Sequence, residues 1–546
     1  MSIAADFRKA AELSVDNVAR HGDTDIFPFP FENYAFSDLR NKFVELVLEY
    51  NTNFEKFIND YPPQHVNSLT PAGYFGFRWA SQIDPIWNLH FLACVIAIAP
   101  DIEVARIPLK EEVVFSYRFN PNYETGDLFD KTVSWANFIE ASVEEAAQHE
   151  FVVTCDISEF YPRLGHHRLE NALLQIDKSG HVSKKIMKFL SNFSNTRSFG
   201  LPIGGSAARL LSEITINQVD RLLYYKNIKF KRFADDYHIF ASSREDAYSK
   251  LMFLSEKLFD NQGLSMQKAK TRIMSSAEFR ATNPLAIERA QVDPEQAGAD
   301  AAEKHSRTAI LRFSLNFDPY SPTAEEDYQE LRKEIQKFDI IGLLKSELSK
   351  SRVHTALTKK LISAVKHLDV RQREEAVLSI WKNQEILYPT FASVLVLMDS
   401  VIDSMTVEGR RKIIDAILEL INKESYLLRA DTHMCYAIRV LAHENMPETI
   451  GALQQLYETR LSPIVRRDII LILARWNEWY WISDLRNKFR SLSGAERRAF
   501  IVASHALKDE GRHWRQSTKR EFDPFEKLIA EWADSRTQTP NWRIPV

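Results

Sequence analysis

Hydrophobic and polar positions divide this chain into two regimes. From about residue 30 to 280, short β-like runs such as Phe151 to Ile157 and Ile228 to Phe233 alternate with helical stretches and are bounded by Gly, Pro and Asp turns. From about residue 325 onward the strand signals fade and amphipathic helices follow one another at short spacing. Ser462 and Pro463 open one as N-cap and first helical residue, with Val465, Ile469, Ile472 and Leu473 as its stripe. Ser493 and Glu496 stand at capping-box spacing ahead of Phe500, Ala503 and Leu507, and Gly511 is the expected stop. Ile413, Ile417, Leu418 and Ile421 mark a third. Helices with one apolar stripe each need neighbours to cover them, and an array of helical hairpins of the HEAT type does so economically. Between the regimes, Glu288 to Ser306 loses nearly all large apolar residues. The pattern therefore predicts an α+β region over 1–285 with an N-terminal helical extension, a linker or insertion over 286–325, and an all-α helical-repeat region over 326–546.

At 546 residues, more than one core is expected. A hydrophobic share of 45% and a charged share of 26% are ordinary for globular chains and exclude disordered and collagen-like classes. The cysteines, Cys94, Cys155 and Cys435, are far apart and form no CxxC pair, so neither a disulfide framework nor a zinc knuckle is expected. The first residues carry charges throughout, and the longest apolar run, Leu89 to Pro100, is interrupted by His90. The expectation is thus a cytoplasmic protein with no signal peptide and no membrane partner. The net charge of −4 is unexpected for a protein that handles nucleic acid, so any such site must be a local basic patch.

Three segments carry candidate chemistry. Phe151 to Pro162 is an apolar strand that delivers Asp156 at its end and then turns; Gly200 to Glu213 is a glycine-rich loop running into a helix; Lys229 to Phe240 is a hairpin with Asp235 and Asp236 at its tip. Phosphoryl transfer asks little covalent help of a protein but needs divalent cations to orient oxygens and neutralise charge, and hard cations ask for carboxylates. Adjacent carboxylates beside a third repel one another unless a cation lies among them. An Asp-Asp pair alone is an ordinary turn, and a glycine loop alone is an ordinary loop.

In their order and spacing the three segments resemble motifs A, B and C of reverse transcriptases, with Phe233-Ala234-Asp235-Asp236 where that family shows an aromatic-x-Asp-Asp box. Gly263-Leu264 followed by Lys270-Thr271 is similar to its motif D. The resemblance covers roughly residues 70 to 280 and implies a right-hand fold of fingers and a ferredoxin-like palm. It implies Mg²⁺ or Mn²⁺ on Asp156, Asp235, Asp236 and the Ile157 carbonyl, with Lys270 assisting the departing pyrophosphate. Tyr161 stands where the family places an aromatic under the sugar, which implies deoxynucleotide substrates. Arg106 and Arg118 stand where the fingers place triphosphate-binding cations. Ile203 and Gly204 take the motif B position for substrate contact, but Ile203 replaces the usual Gln, and Ala208-Arg209 replaces Ser-Pro.

The layout, together with Ile26 to Glu32 and Phe115 to Arg118, resembles bacterial abortive-infection and other defence-associated reverse transcriptases, in which such a domain is fused to HEAT-like helices. That resemblance implies antiphage defence, homo-oligomers, and a single-stranded DNA product made without a template and attached to a protein hydroxyl. Tyr34, Tyr50 and Tyr320 are the candidate primers that could move, whereas Tyr237 belongs to the core. Two alternatives stand beside it: an enzyme templated by a non-coding RNA, and a non-catalytic helical-repeat binding protein. His166 and His167 read as exposed residues at a helix start. Cations from Arg466 to Arg520, interleaved with Trp476, Trp479, Trp481 and Trp514, would suit single-stranded nucleic acid but read slightly better as solvated helix faces.

Overall fold

The computed structural model describes residues 3–195, 197–282, 340–350 and 352–546. The expected linker over 286–325 and Tyr320 lie outside these residues. By contacts the chain forms two compact units: Met1–Asp25, Glu32–His65 and Ser81–Gln291 in the first, and Ile26–Phe31, Val66–Ala80 and Val292–Val546 in the second.

Among the described residues, β1 (His65–Pro71) pairs with β2 (Phe77–Ile83), and β3 (Phe119–Asn122) with β4 (Asp127–Phe129). The first unit is built on β5 (Phe151–Asp156), β6 (Phe230–Phe233), β7 (Asp236–Ala241) and β8 (Arg272–Ser275), in the order β6-β7-β5-β8. Every neighbour in this sheet is antiparallel. Helix Ser206–Tyr225 lies in the crossover from β5 to β6, and helix Arg244–Gln262 in that from β7 to β8. The result is the split βαβ arrangement expected for the palm. Val152 and Phe240 point from the sheet into a core closed by Ala146 and Phe279, as the alternation along β5 and β7 requires.

Helix Pro85–Ala105 is longer than the apolar run read from the sequence. By length and composition it could cross a membrane, because it continues past His90 on both sides of the run counted in the sequence. Two-thirds of its most apolar window is buried, and it packs on helices Ile3–His21, Ser206–Tyr225 and His181–Phe193. A helix covered from several directions is apolar all round, unlike a surface helix with one stripe. His90 within it is held neutral, its pKa pushed down to about 3 by burial.

In the second unit many of the described helices pack on the one two further along. One row runs Thr355–Val365, Phe391–Val401, Asp431–Leu441, Pro463–Arg475, Gly494–Ala503 and Pro524–Arg536; the other runs Ile340–Leu348, Val370–Lys382, Val407–Asn422 and Pro447–Thr459. This region is thus largely helical, with neighbouring helices covering one another's apolar stripes. The Ser493–Glu496 capping box forms as expected. Gly511 does not stop a helix: it lies inside Lys508–Thr518, where an added Cβ would sit 1.8 Å from the Ser504 carbonyl oxygen, so glycine serves close approach there.

The division departs from the boundaries read from composition, since residues 26–31 and 66–80 pack with the helical unit. Phe31 lies 6.1 Å from Trp532 ring to ring, Arg439 Nη2 donates to the Phe29 carbonyl at 2.9 Å, and Tyr74 Oη donates to the Ile386 carbonyl at 2.7 Å. The aromatic-proline segment is thus an apolar clasp on the helices.

Candidate active site

The site forms where β5 ends. Asp156 and Asp236 are direct partners across β5 and β7, and Asp235 precedes Asp236 in the β6–β7 turn. Ile157 N donates to the Asp235 carbonyl at 3.0 Å and ties the hairpin to the end of β5, while Gln267 N donates to the Asp156 carbonyl at 2.7 Å. Lys270, on the segment leading into β8, places its ammonium on Asp156 Oδ2. One lysine does not balance three clustered acids. Burial, then Asp235 and Asp156, push the Asp236 carboxyl up to about 7; burial and Asp156 also raise Asp235.

Among the described residues no three His, Cys, Asp or Glu side chains are already gathered around a common metal position. The donor set nonetheless fits a hard divalent cation. It offers oxygen only, and its excess negative charge, visible in the raised Asp236, is what such an ion relieves. Asp156, Asp235, Asp236 and the Ile157 carbonyl are the atoms that would hold it.

Beneath the acids lies a buried network that sequence reasoning missed. Arg232 of β6, fully buried, donates through Nη2 to Glu213 Oε2 at 2.8 Å and Asp220 Oδ2 at 2.7 Å, and through Nη1 to the Ala234 carbonyl at 2.7 Å. Tyr237 Oη donates to Asp220 at 2.9 Å and Ser116 Oγ to Glu213 at 2.6 Å. Burial alone would raise the Glu213 carboxyl, but Arg232 and Arg106 hold it below the usual range. The available signal was an arginine between the apolar positions of a strand and two acids on the apolar face of a helix: charges that fold inward must find each other.

Arg106 and Arg118 are part of this interior, which corrects their expected role. Arg106 Nη2 donates to Glu213 at 2.6 Å and the Ser116 carbonyl at 2.7 Å; Arg118 donates to Glu103 at 2.7 Å and to the Val114 and Ile107 carbonyls at 3.0 and 2.7 Å. Both are buried, so their forks are committed to protein and do not face a triphosphate.

Tyr161 is linked to the hairpin through Tyr117. Its hydroxyl is hydrogen-bonded to that of Tyr117, and burial together with Tyr117 pushes its pKa well above the ordinary phenol value. Tyr117 in turn lies 5.9 Å from the ring of Phe233, next to the hairpin acids. Ile203 is half-buried, and Gly204 has a φ of +111°, open to glycine and costly to other residues. A Cβ at Gly204 would lie 2.1 Å from Thr24 Oγ1, so residues 23–25 rest directly on this loop. His166 is buried, not exposed: its Nε2 is 2.9 Å from the Gly200 carbonyl and braces the same loop, while His167 is exposed.

Among the proposed primers, Tyr34 is 55% exposed but Tyr50 is 1% exposed and packed on Phe57 and Trp87, so Tyr50 is a core residue like Tyr237. The C-terminal cations are largely committed: Arg467 to Asp468, Arg486 to Glu510, Arg490 to Glu521 and Arg497 to Glu526. Trp514 is buried, whereas Trp479 and Tyr480 stack in the open at 3.6 Å.

Residues 107–305 match the sequence model of the family described as reverse transcriptase (RNA-dependent DNA polymerase). With the carboxylates on a split-βαβ sheet, the match marks this segment as similar to a reverse-transcriptase domain. No curated protein matches the chain. Solved structures similar to it include a telomerase from Candida albicans in complex with a TWJ fragment of telomeric RNA, at 12% identity and a TM-score of 0.28, covering 69% of this chain and 68% of that one. Another is the apo telomerase from Candida tropicalis, at 10% identity and a TM-score of 0.26, covering 72% and 73%. Likeness this slight says nothing of template or substrate.

Proposed function

We propose that this chain is a DNA polymerase of the reverse-transcriptase family that serves antiphage defence and starts its DNA strand on one of its own hydroxyl groups, without a template. The observation that carries the polymerase reading is the pairing of Asp156 with Asp236 across β5 and β7, with Asp235 beside them and Lys270 on the rim. The defence reading and self-priming rest on the resemblance in layout, a polymerase domain followed by stacked helical hairpins.

In the reaction a hydroxyl oxygen attacks the α-phosphorus of a dNTP. A new P–O bond forms, the bond to the bridging oxygen breaks, and pyrophosphate leaves; the hydroxyl proton passes to solvent. Mg²⁺ or Mn²⁺ bound by Asp156, Asp235, Asp236 and the Ile157 carbonyl supplies charge neutralisation and orientation of the oxygens. Lys270, whose ammonium lies on Asp156, would hand a proton to the departing pyrophosphate oxygen. Tyr161, held by Tyr117, stacks its ring under the sugar and leaves no room for a 2′-hydroxyl.

The test is incorporation of labelled dNTP by purified protein with Mg²⁺ and no added nucleic acid, compared with Asp235→Asn. We expect product from the native chain and a loss on the order of a thousandfold or more in the variant, about 4 kcal/mol of transition-state stabilisation. Product only after adding a co-purified RNA would move the protein to the RNA-templated reading; no product under either condition would overturn the polymerase.

A further inference from the structure

A nucleotide seated at the carboxylates brings a triphosphate, and cations that could meet it must be near the acids and able to exchange partners. Arg106, Arg118 and Arg232 are buried, with the Nη groups of each committed to carboxylates and carbonyls of the protein. Lys270 is occupied by Asp156. Arg209 is differently placed. It sits on the first turns of helix Ser206–Tyr225, directly after the Gly204–Gly205 loop. Its guanidinium lies 5.3 Å over the ring of Tyr117, the residue that bonds Tyr161 and touches Phe233. Its side chain is 28% exposed, and its charged partner is Asp25, 60% exposed, at 3.0 Å from Nη2. No other protein acceptor among the described residues takes its remaining N–H groups.

Asp25 is delivered there by deliberate contact. Thr24 Oγ1 fills the space that a Cβ on Gly204 would take, Asp23 O lies 3.3 Å from where a Cβ on Gly205 would be, and Asp23 Oδ2 accepts from Gln82 Nε2 at 3.1 Å. The segment is therefore seated on the glycine loop, with one solvent-facing carboxylate laid on Arg209. An arginine fork matches phosphate geometry, and a polyphosphate carries several charges where Asp25 offers one.

On the polymerase reading above, we propose that Arg209 receives the triphosphate of the incoming nucleotide, and that Asp25 is a resident counter-ion which the nucleotide displaces. The arginine that stands where the family shows proline thus supplies the cation that Arg106 and Arg118 do not. Arg209 is a substrate-binding residue and Asp25 its internal competitor.

The experiment is a dNTP titration of incorporation by the full chain with Mg²⁺, using Arg209→Ala, Asp25→Asn and the double variant. Arg209→Ala is expected to raise KM for dNTP about tenfold or more, as for loss of a charge-assisted hydrogen bond, with a smaller change in kcat. Asp25→Asn is expected to lower KM severalfold, and in the double variant that gain should vanish because there is no cation left to release. Asp25 is exposed, so its variant remains informative even where Arg209→Ala does not fold. An active native enzyme whose KM is unmoved by Asp25→Asn, or raised by it, overturns the inference. So does a gain that persists in the double variant, or an Arg209→Ala effect confined to kcat. An inactive native enzyme instead removes the polymerase reading, which these variants do not address.

Discussion

Arg232 Nη1 donates to the carbonyl of Ala234 at 2.7 Å, so a fully buried guanidinium grips the residue on which the two adjacent aspartates turn. Ala234 has a φ of 52°, a left-handed conformation that costs a residue with a Cβ about 1–2 kcal/mol unless its surroundings hold it. Because the same guanidinium meets Glu213 and Asp220, the aim of the hairpin depends on helix Ser206–Tyr225.

Arg232→Met should therefore strip Asp220 of its cation and release the turn. Removing one member of a buried ion pair costs about 3–5 kcal/mol. Thermal unfolding should show a clear drop in Tm, and incorporation measured below both transitions should fall as well. A variant that melts like the native protein would mean that Arg232 does not support the site.

The raised Asp236 carboxyl predicts the pH dependence of stability without metal. Its folded-state pKa of about 7 lies above the ordinary 3.8, so the neutral form is the one folding favours. That contribution is present below the unfolded value and is lost as pH rises through about 7. Metal-free protein should lose Tm between pH 5 and 8, and Asp236→Asn should flatten the loss. Mg²⁺ at pH 8 should raise Tm in the native chain and not in the variant. Equal pH profiles for the two proteins would remove the carboxylate from this role.

Tyr161→Ala should relax sugar selection. The ratio of ribonucleotide to deoxynucleotide use is expected to rise on the order of ten- to a hundredfold, the usual yield of a steric contact. Tyr117→Phe, which loses only the hydroxyl bond to Tyr161, should give a smaller shift in the same direction. Competition between matched dNTP and rNTP measures both, and an unchanged ratio in Tyr161→Ala would make its ring a packing element only.

Self-priming predicts that labelled DNA stays with the polypeptide after denaturation and is released by protease or nuclease. Tyr34 is the exposed candidate among those named from the sequence, and Tyr34→Phe should abolish the covalent label if it is the primer. Label that always runs as free DNA would end the protein-primed proposal.

What the amino-acid order determined by itself is local. Asp156 ends an apolar strand, Asp235 and Asp236 follow an aromatic at a turn, and capped single-stripe helices repeat toward the C-terminus; each follows from propensity, pattern and spacing over a few residues. The pairing that places Asp156 opposite Asp236 could be expected because antiparallel register is tied to which faces are apolar. Only the tertiary structure decided the fate of individual charges. Arg106, Arg118 and Arg209 look alike as letters, but burial beside Glu103 and Glu213 consumes the first two, while the third lies over Tyr117 with an exposed partner. Likewise Tyr50 and Tyr34 differ only in what packs on them, and residues 26–31 join helices hundreds of positions away. Whether a polar group is free to act depends on which distant groups reach it, and that is set by long-range packing, to which short-range periodicity is blind.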